Sequence, residues 1–423
     1  MTRAVLTVPR EALTPAITHA PTRRRLTGAG AVADAGASDS AGAGLPTGTG
    51  LMLFPHLAES RVVTVAHVVD EKDDAAELDP GIARLLAIGH LFTGSEAAHE
   101  ILLDGDTGRV FTLEMSAPRH AEAFPLAPSL DALARFLTAV SELDALCGRF
   151  APLAGRTGAD VAAEASALLL AVVTGEEWGT DGWSVAGDPA SWDTAVPMFW
   201  RITALFRPLS LIAAPGRGLR LELPKELLEE EFGPEGLVRA DPSRIPDALE
   251  HGPTRRFLAE AGLPGECGLF WPCGPEDLLL TVSEDRERSR RDPRLRHLYD
   301  GTDQLPADAG HLLVLGGLAN DLTVVLDGRT GEVRHMTYDG DTTTQLNADI
   351  STLAFTLWLY SREQALAERH NLTGDTGEFY YQLATTMLHT LATVDPVACT
   401  PVTGPDDFRC WPELFHDAAG GVL

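Results

Sequence analysis

An internal repeat is the feature that most constrains what this chain can fold into. Residues 103–110, Leu-Asp-Gly-Asp-Thr-Gly-Arg-Val, recur at 326–333 as Leu-Asp-Gly-Arg-Thr-Gly-Glu-Val, with six of eight positions identical. A duplicated unit reveals which positions its fold requires, because both copies must keep them. The shared positions here are turn and core residues rather than catalytic acids, bases or metal ligands. The repeat therefore predicts two copies of one scaffold and favours a binding protein over an enzyme.

The repeat extends along the chain. Further segments match in the same order: 6–13 with 221–228, 21–24 with 253–256, Gly44-Leu45-Pro46 with Gly262-Leu263-Pro264, Gly89 with Gly316, 133–134 with 353–354, 157–158 with 376–377, and Trp192 with Trp411. The numbering offsets of all these matches stay between 215 and 232. We predict two homologous domains, 1–200 and 221–423, each long enough to bury its own core. The apolar stretch from Pro197 into the connecting segment 201–220 is expected to pack between them.

Changes in the offset predict insertions of unequal length. The second copy gains residues after the match to Leu13, including the stretch 229–243. The first copy gains a segment near 27–43 that consists mostly of Ala, Gly, Ser and Asp. Such a segment has little apolar surface to bury, so we predict a disordered surface loop there.

Composition places the chain among globular proteins of a reducing compartment. Hydrophobic residues make up 44% and charged residues 22% of the sequence, which is ordinary for a globular protein. No uninterrupted apolar stretch reaches the ~18 residues of a membrane span, and the N-terminus lacks the apolar segment of a secretory signal. The five cysteines are an odd and sparse set, which argues against a disulfide framework. We therefore expect a cytoplasmic protein with no membrane partner.

The net charge of −28 bears on the choice of partner. A field of this sign repels phosphates, so direct binding to nucleic acid is not expected, whereas a basic protein partner is favoured. The alternative is that the acidity serves only solubility. The acidic runs offered as contacts for a basic partner are Asp70, Glu71, Asp73 and Asp74, and Glu229, Glu230 and Glu231.

The order of predicted elements indicates an α+β fold. Residues 253–262 read as a helix with Pro253 in its first turn and Gly262 as its stop. Runs at 278–282, 312–315, 322–326 and 333–336 read as strands, and helices follow from residue 350. Short turns between strands predict an antiparallel sheet rather than a parallel one.

The repeated hairpin turn is predicted to be structural. Its residues are Asp104, Gly105, Thr107 and Gly108 in the first copy and Asp327, Gly328, Thr330 and Gly331 in the second. Asp is expected to cap its own backbone there, and the Gly that follows it is expected to adopt positive φ.

Several segments resemble a cofactor or metal site only superficially. Residues 28–33 resemble a dinucleotide fingerprint only loosely, because no strand precedes them and the second copy lacks them. Cys267 and Cys273 have no second ligand pair at zinc spacing, so buried structural thiols are expected. No histidine is expected to be shared by both copies. Trp192 and Trp411 are interpreted as core anchors, and no catalytic residue, metal site or cofactor is predicted.

The second copy resembles a known family. The residues that carry the likeness are 250–264, Glu-His-Gly-Pro-Thr-Arg-Arg-Phe-Leu-Ala-Glu-Ala-Gly-Leu-Pro, then Leu-Gly-Gly at 315–317, the repeated turn, and the helix with Asn347 and Phe355. This pattern over about 220–365 is similar to the SUKH superfamily, specifically its fourth group of immunity proteins. The internal repeat extends the likeness to the first copy, which departs from it at Ile88-Gly-His90 and near Ala127.

The resemblance implies an α+β fold without catalytic residues. It also implies that the protein neutralises a toxin of a bacterial polymorphic system, commonly a nuclease or a nucleic-acid deaminase, by covering its active surface. Our hypothesis is a tandem immunity protein that binds a cognate and basic protein toxin. The alternatives are a scaffold or regulatory protein with the same fold, and an enzyme whose site is assembled from both copies.

Overall fold

The chain forms two compact units. The first unit comprises Met1–Arg156, Asp160–Leu209 and Gly374–His389, and the second comprises Thr157–Ala159, Ser210–Thr373 and Thr390–Leu423. The computed structural model describes residues 3–6, 8, 10–11, 13–28, 31–34, 49–53, 63–70, 78–93, 97–113, 122–175, 196–213, 223–265, 267–274, 278–291, 305–319, 322–337, 342–370, 372, 379–399, 409–417 and 423.

The first copy of the repeat contains seven described strands. They are β1 (Arg3–Leu6), β2 (Ala31–Asp34), β3 (Thr49–Leu53), β4 (Leu86–Thr93), β5 (Ala97–Leu103), β6 (Val110–Leu113) and β7 (Ala123–Ala127). Its described α-helices are α1 (Ala20–Thr27), α2 (Val65–Asp70), α3 (Pro80–Ala83), α4 (Leu130–Asp144), α5 (Ala159–Thr174) and α6 (Met198–Phe206). Short 3-10 helices span Gly148–Leu153 and Arg207–Ile212.

The second copy has a closely related order of elements. Its described strands are β8 (Leu237–Val238), β9 (Leu263–Pro264), β10 (Phe270–Pro272), β11 (Leu312–Leu318), β12 (Leu322–Asp327), β13 (Val333–Thr337) and β14 (Thr344–Asn347). Its described α-helices are α7 (Lys225–Phe232), α8 (Gly252–Glu260), α9 (Val282–Arg291), α10 (Ile350–His370), α11 (Tyr380–Val394), α12 (Pro396–Cys399) and α13 (Cys410–His416). Two 3-10 turns span Pro234–Gly236 and Pro242–Arg244.

Each copy is built on one antiparallel meander. The five strands β3 to β7 lie in chain order in one sheet, and β10 to β14 do the same in another. Even the β-bulge recurs, between Ala87 and Gly89 in β4 and between Val314 and Gly316 in β11. Because short connections join antiparallel neighbours, no crossover helix is needed. The α+β class expected from the sequence is confirmed.

The long helix after each sheet starts at a polar cap. Ser129 accepts a hydrogen bond from the N–H of Ala132 at 3.1 Å at the start of α4. Asp349 does the same for Ser351 and Thr352 at the start of α10, at 2.7 and 3.1 Å. A side chain that satisfies otherwise unpaired N–H groups stabilises a helix N-terminus by about 1 kcal/mol. The cap therefore sets where both helices begin.

One predicted strand is wrong. Residues 278–282 read as a strand because they are apolar, yet only an isolated bridge between Thr281 and Leu313 forms there. A capping box then starts α9: the Glu284 carboxylate accepts from the Thr281 N–H at 2.9 Å, and the Thr281 hydroxyl accepts from the Glu284 N–H at 3.2 Å. The Thr-x-x-Glu spacing is a helix-start signal that outweighs the short apolar run.

The two-stranded sheets correct the alignment of the N-terminal parts. Leu6 pairs with Ala31 in the first copy just as Val238 pairs with Leu263 in the second. Ala31 therefore takes the place of Leu263, so the prediction of a disordered loop is wrong for Ala31–Asp34. The additional residues of the first copy lie between β2 and β3.

The same registers overturn one of the matched segments. The sequence match pairs residues 6–13 with 221–228, but the counterpart of β1 is β8 at Leu237–Val238. Residues Lys225–Phe232 instead form helix α7 ahead of that strand. The second copy thus carries a helix before its first strand, and the sequence match of this segment does not reflect equivalent structure.

Candidate partner-binding surface

The repeated hairpin turn closes in the same way in both copies. The Asp104 carboxylate accepts from the N–H groups of Asp106 and Thr107 at 2.9 and 3.3 Å. The corresponding distances from Asp327 to Arg329 and Thr330 are 2.9 and 3.1 Å. One oxygen of each Asp thus serves its own turn, the role expected of Asp there, while the other lies 3.3 Å from Arg84 in the first copy and 3.4 Å from Arg334 in the second. These carboxylates therefore shape the scaffold.

The backbone conformations of the turn glycines differ from those expected. Gly108 and Gly331 adopt positive φ, +76° and +82°, whereas Gly105 and Gly328 do not. A Cβ on Gly105 would overlap the Ala16 carbonyl oxygen. The first glycine is thus kept for close approach to another segment, and the prediction that it supplies positive φ is wrong.

A histidine recurs beside this turn, contrary to the prediction that none is shared. His19 and His251 precede helices α1 and α8, and the imidazole Nδ1 of each lies 2.8 and 2.7 Å from the hydroxyl of Thr22 and Thr254. Any Cβ on Gly331 would strike the His251 ring. The histidine–threonine pair therefore holds the hairpin turn against the helix start in each copy.

A buried polar network is present in the second copy. Asn347, fully buried, donates to the Thr356 hydroxyl at 3.2 Å and to the Asp395 carboxylate at 3.0 Å. Its side-chain oxygen accepts from the Trp411 indole N–H at 3.1 Å. Since buried polar groups are stable only when they are hydrogen-bonded, this network fixes the position of α13 against the end of β14.

The first copy replaces this network with apolar contact. Ala127 has the register position of Asn347. Trp200 of α6 donates to the Leu126 carbonyl at 2.7 Å, and its ring lies 5.2 Å from that of Phe136. Among the described residues of the first copy, Trp200 thus has the anchoring role; Trp192 lies outside the described residues, and its role as an anchor stays a prediction. The spacing of Trp200 from the rest of the repeat differs, so offset matching missed it.

One charged cluster is buried in the first unit. Arg207, only 5% exposed, donates to both carboxylate oxygens of Asp144 at 2.6 and 2.5 Å, and His389 lies 3.8 Å from that carboxylate. Burial acts to raise the pKa of Asp144, but Arg207 and then His389 outweigh it, so the pKa lies below its usual value. Burial followed by the charge of Arg207 lowers the pKa of His389. Because Arg207 donates to both oxygens of the buried Asp144 carboxylate, the two residues form a structural ion pair.

The described residues form no metal-ligating cluster, and the cavities beside Phe136 and Asp285 are small. No group of three or more His, Cys, Asp and Glu side chains among them is placed to hold a metal ion. A cavity beside Phe136 and Trp200 has a volume of about 10 Å³, and another beside Asp285 and Thr323 about 20 Å³. Cavities of this size hold about one water molecule. Within the same residues, no helix is long and apolar enough to cross a membrane.

The acidic run on α7 divides over different faces of the helix. Glu231 accepts from the Ser361 hydroxyl at 3.0 Å and its side chain is 14% exposed. Glu229 pairs with Arg239 at 2.8 Å. Of the three, Glu230 alone is exposed as a residue and lacks such a partner among the described residues, together with Glu226 one turn earlier. Successive helical residues point about 100° apart, so the exposed acidic face consists of Glu226 and Glu230.

Some of the predicted residues lie outside the described part of the chain. Asp70 is the last residue of α2, but its side chain is not described. The others outside the described residues are Gly44, Leu45, Pro46, Glu71, Asp73, Asp74 and Trp192. The role of Asp70–Asp74 as a contact stays a prediction.

Sequence reasoning missed an exposed aromatic residue. Trp271 in β10, the edge strand of the second sheet, is 50% exposed. The alternation of apolar and polar residues that marks a half-buried strand is absent from Phe-Trp-Pro, so sequence alone did not separate the outward residue from the buried Phe270. The two-residue periodicity of the strand in the structure supplies that distinction.

Comparison with known proteins gives one family. A family model described as SUKH-4 immunity protein matches residues 2–174 and 223–417. The two matched ranges cover most of the chain, and the gap between them falls where one copy of the repeat ends and the next begins. Neither the curated proteins nor the solved structures give a match.

Proposed function

Because the chain belongs to the SUKH-4 immunity protein family, we propose that it is a cytoplasmic protein that binds and neutralises a cognate toxin of a polymorphic toxin system. The family implies immunity against a toxin. The kind of toxin and the mechanism are our proposal: a basic nuclease or nucleic-acid deaminase whose active surface is covered without catalysis. We also propose that 1–200 and 221–423 act as two homologous domains with 201–220 between them.

The observation that carries this proposal is the family match to both copies of the repeat. What the copies share supports it. Asp104 and Asp327 serve their own turns, and the recurrent His19 and His251 brace those turns. A scaffold that keeps structural residues and varies its surface suits recognition of a particular protein partner.

The negative charge of this chain supports a mechanism in which it covers the active surface of the toxin rather than modifying the toxin chemically. A nuclease or deaminase binds nucleic acid through a basic surface, and this chain carries a net charge of −28. Complementary charge speeds the encounter and rejects partners of the wrong sign. The exposed pair Glu226 and Glu230 on α7 is a described part of the acidic surface. An inhibitor of this kind competes with nucleic acid for the same face of the toxin.

Co-expression with the toxin encoded by the adjacent gene tests the proposal. We expect this protein to restore growth of cells that produce the active toxin, and to form a complex with a catalytically inactive version on size exclusion. A SUKH-4 protein from an unrelated toxin locus, expressed at the same level, is the matched control and should not protect.

Absence of both protection and a complex would remove the proposal. A complex with some other protein, without protection, would favour the alternative of a scaffold or regulatory module with this fold. Release of intact toxin from the complex by salt would support covering of the surface. Toxin that stays inactive after release would indicate chemical inactivation and contradict it.

A further inference from the structure

Trp271 lies on a face of the second sheet that is partly covered. It is the most exposed large hydrophobic side chain among the described residues, at 50%. Its partner in the register is Gly317 of β11, which pairs in turn with Thr323 of β12. Residues opposite one another in antiparallel strands share a face. These residues, with Cys273 and Asp285, are called the Trp271 patch below.

The strand that carries Trp271 is held firmly. The Leu269 carbonyl accepts from the Ala319 N–H at 2.9 Å, and the Cys273 N–H donates to the Leu315 carbonyl at 3.0 Å. The backbone between these two bonds cannot shift without breaking hydrogen bonds between β10 and β11. A rigid aromatic residue gives contact area at low cost in conformational entropy, as in many binding surfaces.

The outer edge of this strand is poorly suited to pairing with another strand. Pro272 has no N–H to donate, and the Phe270 carbonyl already accepts from the Cys267 N–H at 3.4 Å. Proline on an edge strand is a common device against strand addition. A partner at this position therefore meets the face of the sheet, where Trp271 projects, rather than its edge.

Two adjacent glycines of β11, Gly316 and Gly317, lie against Trp271. A Cβ on Gly316 would overlap the Trp271 carbonyl oxygen, so glycine is required for the strands to approach. A Cβ on Gly317 would lie 3.9 Å from the indole ring, which is ordinary contact. The first copy keeps the first glycine as Gly89 but has His90 in place of the second. The open space beside the indole is therefore a property of the second copy.

A carboxylate lies at the margin of the patch, since Asp285 lines the same small cavity as Thr323. Asp285 is in the first turn of α9, whose start is fixed by the Thr281–Glu284 capping box. Burial and then the nearby Asp285 raise the pKa of the Cys273 thiol to about 11, with Arg288 opposing them. Burial likewise raises the pKa of Asp285, with Arg286 opposing. A carboxylate that has lost part of its hydration gains from the approach of a cation.

We propose that the Trp271 patch is a contact for the toxin, and that it receives an arginine or lysine side chain that stacks on the indole and faces Asp285. The assignment rests on the proposed immunity function. Tryptophan is the best aromatic partner for a cation, and a basic toxin supplies arginine and lysine in number. Tryptophan and arginine are also the residues most enriched among those that dominate interface affinity.

The first test replaces Trp271 in the full chain. We expect Trp271→Ala to weaken binding of the catalytically inactive toxin from the adjacent gene by about 30-fold, mainly through faster dissociation. The midpoint of unfolding should stay near that of the wild type, since the ring is half exposed. Tyr381→Ala, at a residue 43% exposed, is the matched aromatic control and should bind normally. A loss below about ten-fold for Trp271→Ala overturns the proposal.

The second test keeps the tryptophan and closes the space beside it. We expect Gly317→Ala to bind nearly as well as the wild type and Gly317→His, the residue of the first copy, to bind at least ten-fold more weakly. Asp285→Asn should weaken binding and make it less sensitive to salt. Equal affinity of the Gly317→His variant and the wild type would contradict a contact here.

These outcomes separate the two proposals. If the wild-type protein forms no complex with the toxin and gives no protection, the proposed function fails. If the wild type binds and the variants of the Trp271 patch bind equally well, only the inferred contact fails.

Discussion

Glu363 is expected to make the stability of this protein depend on pH near neutrality. It lies in α10 with 0% of its surface exposed. The Gln364 amide donates to its Oε2 at 2.7 Å, while Oε1 has no hydrogen-bond partner among the described residues. Burial raises the pKa of Glu363 to about 7, with the Gln364 hydrogen bond opposing. The carboxyl group is therefore protonated in the folded protein at mildly acidic pH.

The size and sign of the effect follow from linkage. The unfolded pKa is 4.5 and the folded pKa about 7, and each pH unit between them corresponds to about 1.4 kcal/mol, so the total is about 3 kcal/mol. Because the folded pKa is the higher one, this stability is fully present below pH 4.5 and is lost as the pH rises through 7. Glu363→Gln removes the titration.

We expect the free energy of unfolding of Glu363→Gln, relative to wild type, to rise by about 3 kcal/mol between pH 4.5 and pH 8.5. At the acidic end the variant should equal the wild type or be less stable, because its amide nitrogen takes the place of the unpaired Oε1. Denaturant unfolding followed by tryptophan fluorescence and circular dichroism at several pH values measures this difference.

Glu368→Gln, at an exposed position of the same helix, is the matched control. It should change the free energy of unfolding by less than about 0.5 kcal/mol at every pH. A difference between Glu363→Gln and wild type that stays constant across the pH range would refute the argument. Such a result means that the carboxyl group is hydrated in the folded protein despite its position.

Two further predictions concern the scaffold and the acidic surface. Gly328→Ala should destabilise the protein by about 3 kcal/mol, because the added Cβ overlaps a backbone oxygen that cannot move freely. Gly310→Ala, with nothing within 4 Å of the added Cβ, should change the denaturation midpoint little, and equal effects at both sites would contradict the packing argument. Glu230→Lys should slow association with the toxin by about 2- to 10-fold at low salt and leave stability unchanged. Glu231→Lys should instead lower the free energy of unfolding by about 1–2 kcal/mol, since it removes the hydrogen bond from Ser361. If both variants associate with the toxin at the wild-type rate, α7 has no role in binding.

Features that depend on neighbouring residues could be predicted from the sequence. The repeated turn is one of them, because an Asp side chain that bonds the N–H groups two and three residues later needs only a short stretch of chain. The helices that begin near Leu130 and Ile350 are another, since apolar residues recur at helical spacing. The α+β class followed from the order of such elements.

The predictions failed where a residue is kept for a contact with a distant segment. Gly105 is required by the Ala16 carbonyl, 89 residues earlier in the chain. Trp200, which the sequence did not single out, donates to a carbonyl that lies 74 residues earlier in the chain. The faces of α7 could not be assigned from three successive glutamates, because Glu231 turns toward α10.

The sequence by itself determined that this protein is a duplicated α+β scaffold, because turns, caps and periodic apolar faces arise from local interactions that a short stretch of chain encodes. Its place in the SUKH-4 family rests on the likeness of its motifs to that family and on the match to the family model. The tertiary structure alone decided which shared residues brace the turn, which acidic residues remain exposed, and that Trp271 projects from the second sheet beside a glycine. These properties depend on which distant segments pack together, and packing is set by the whole chain rather than by any part of it.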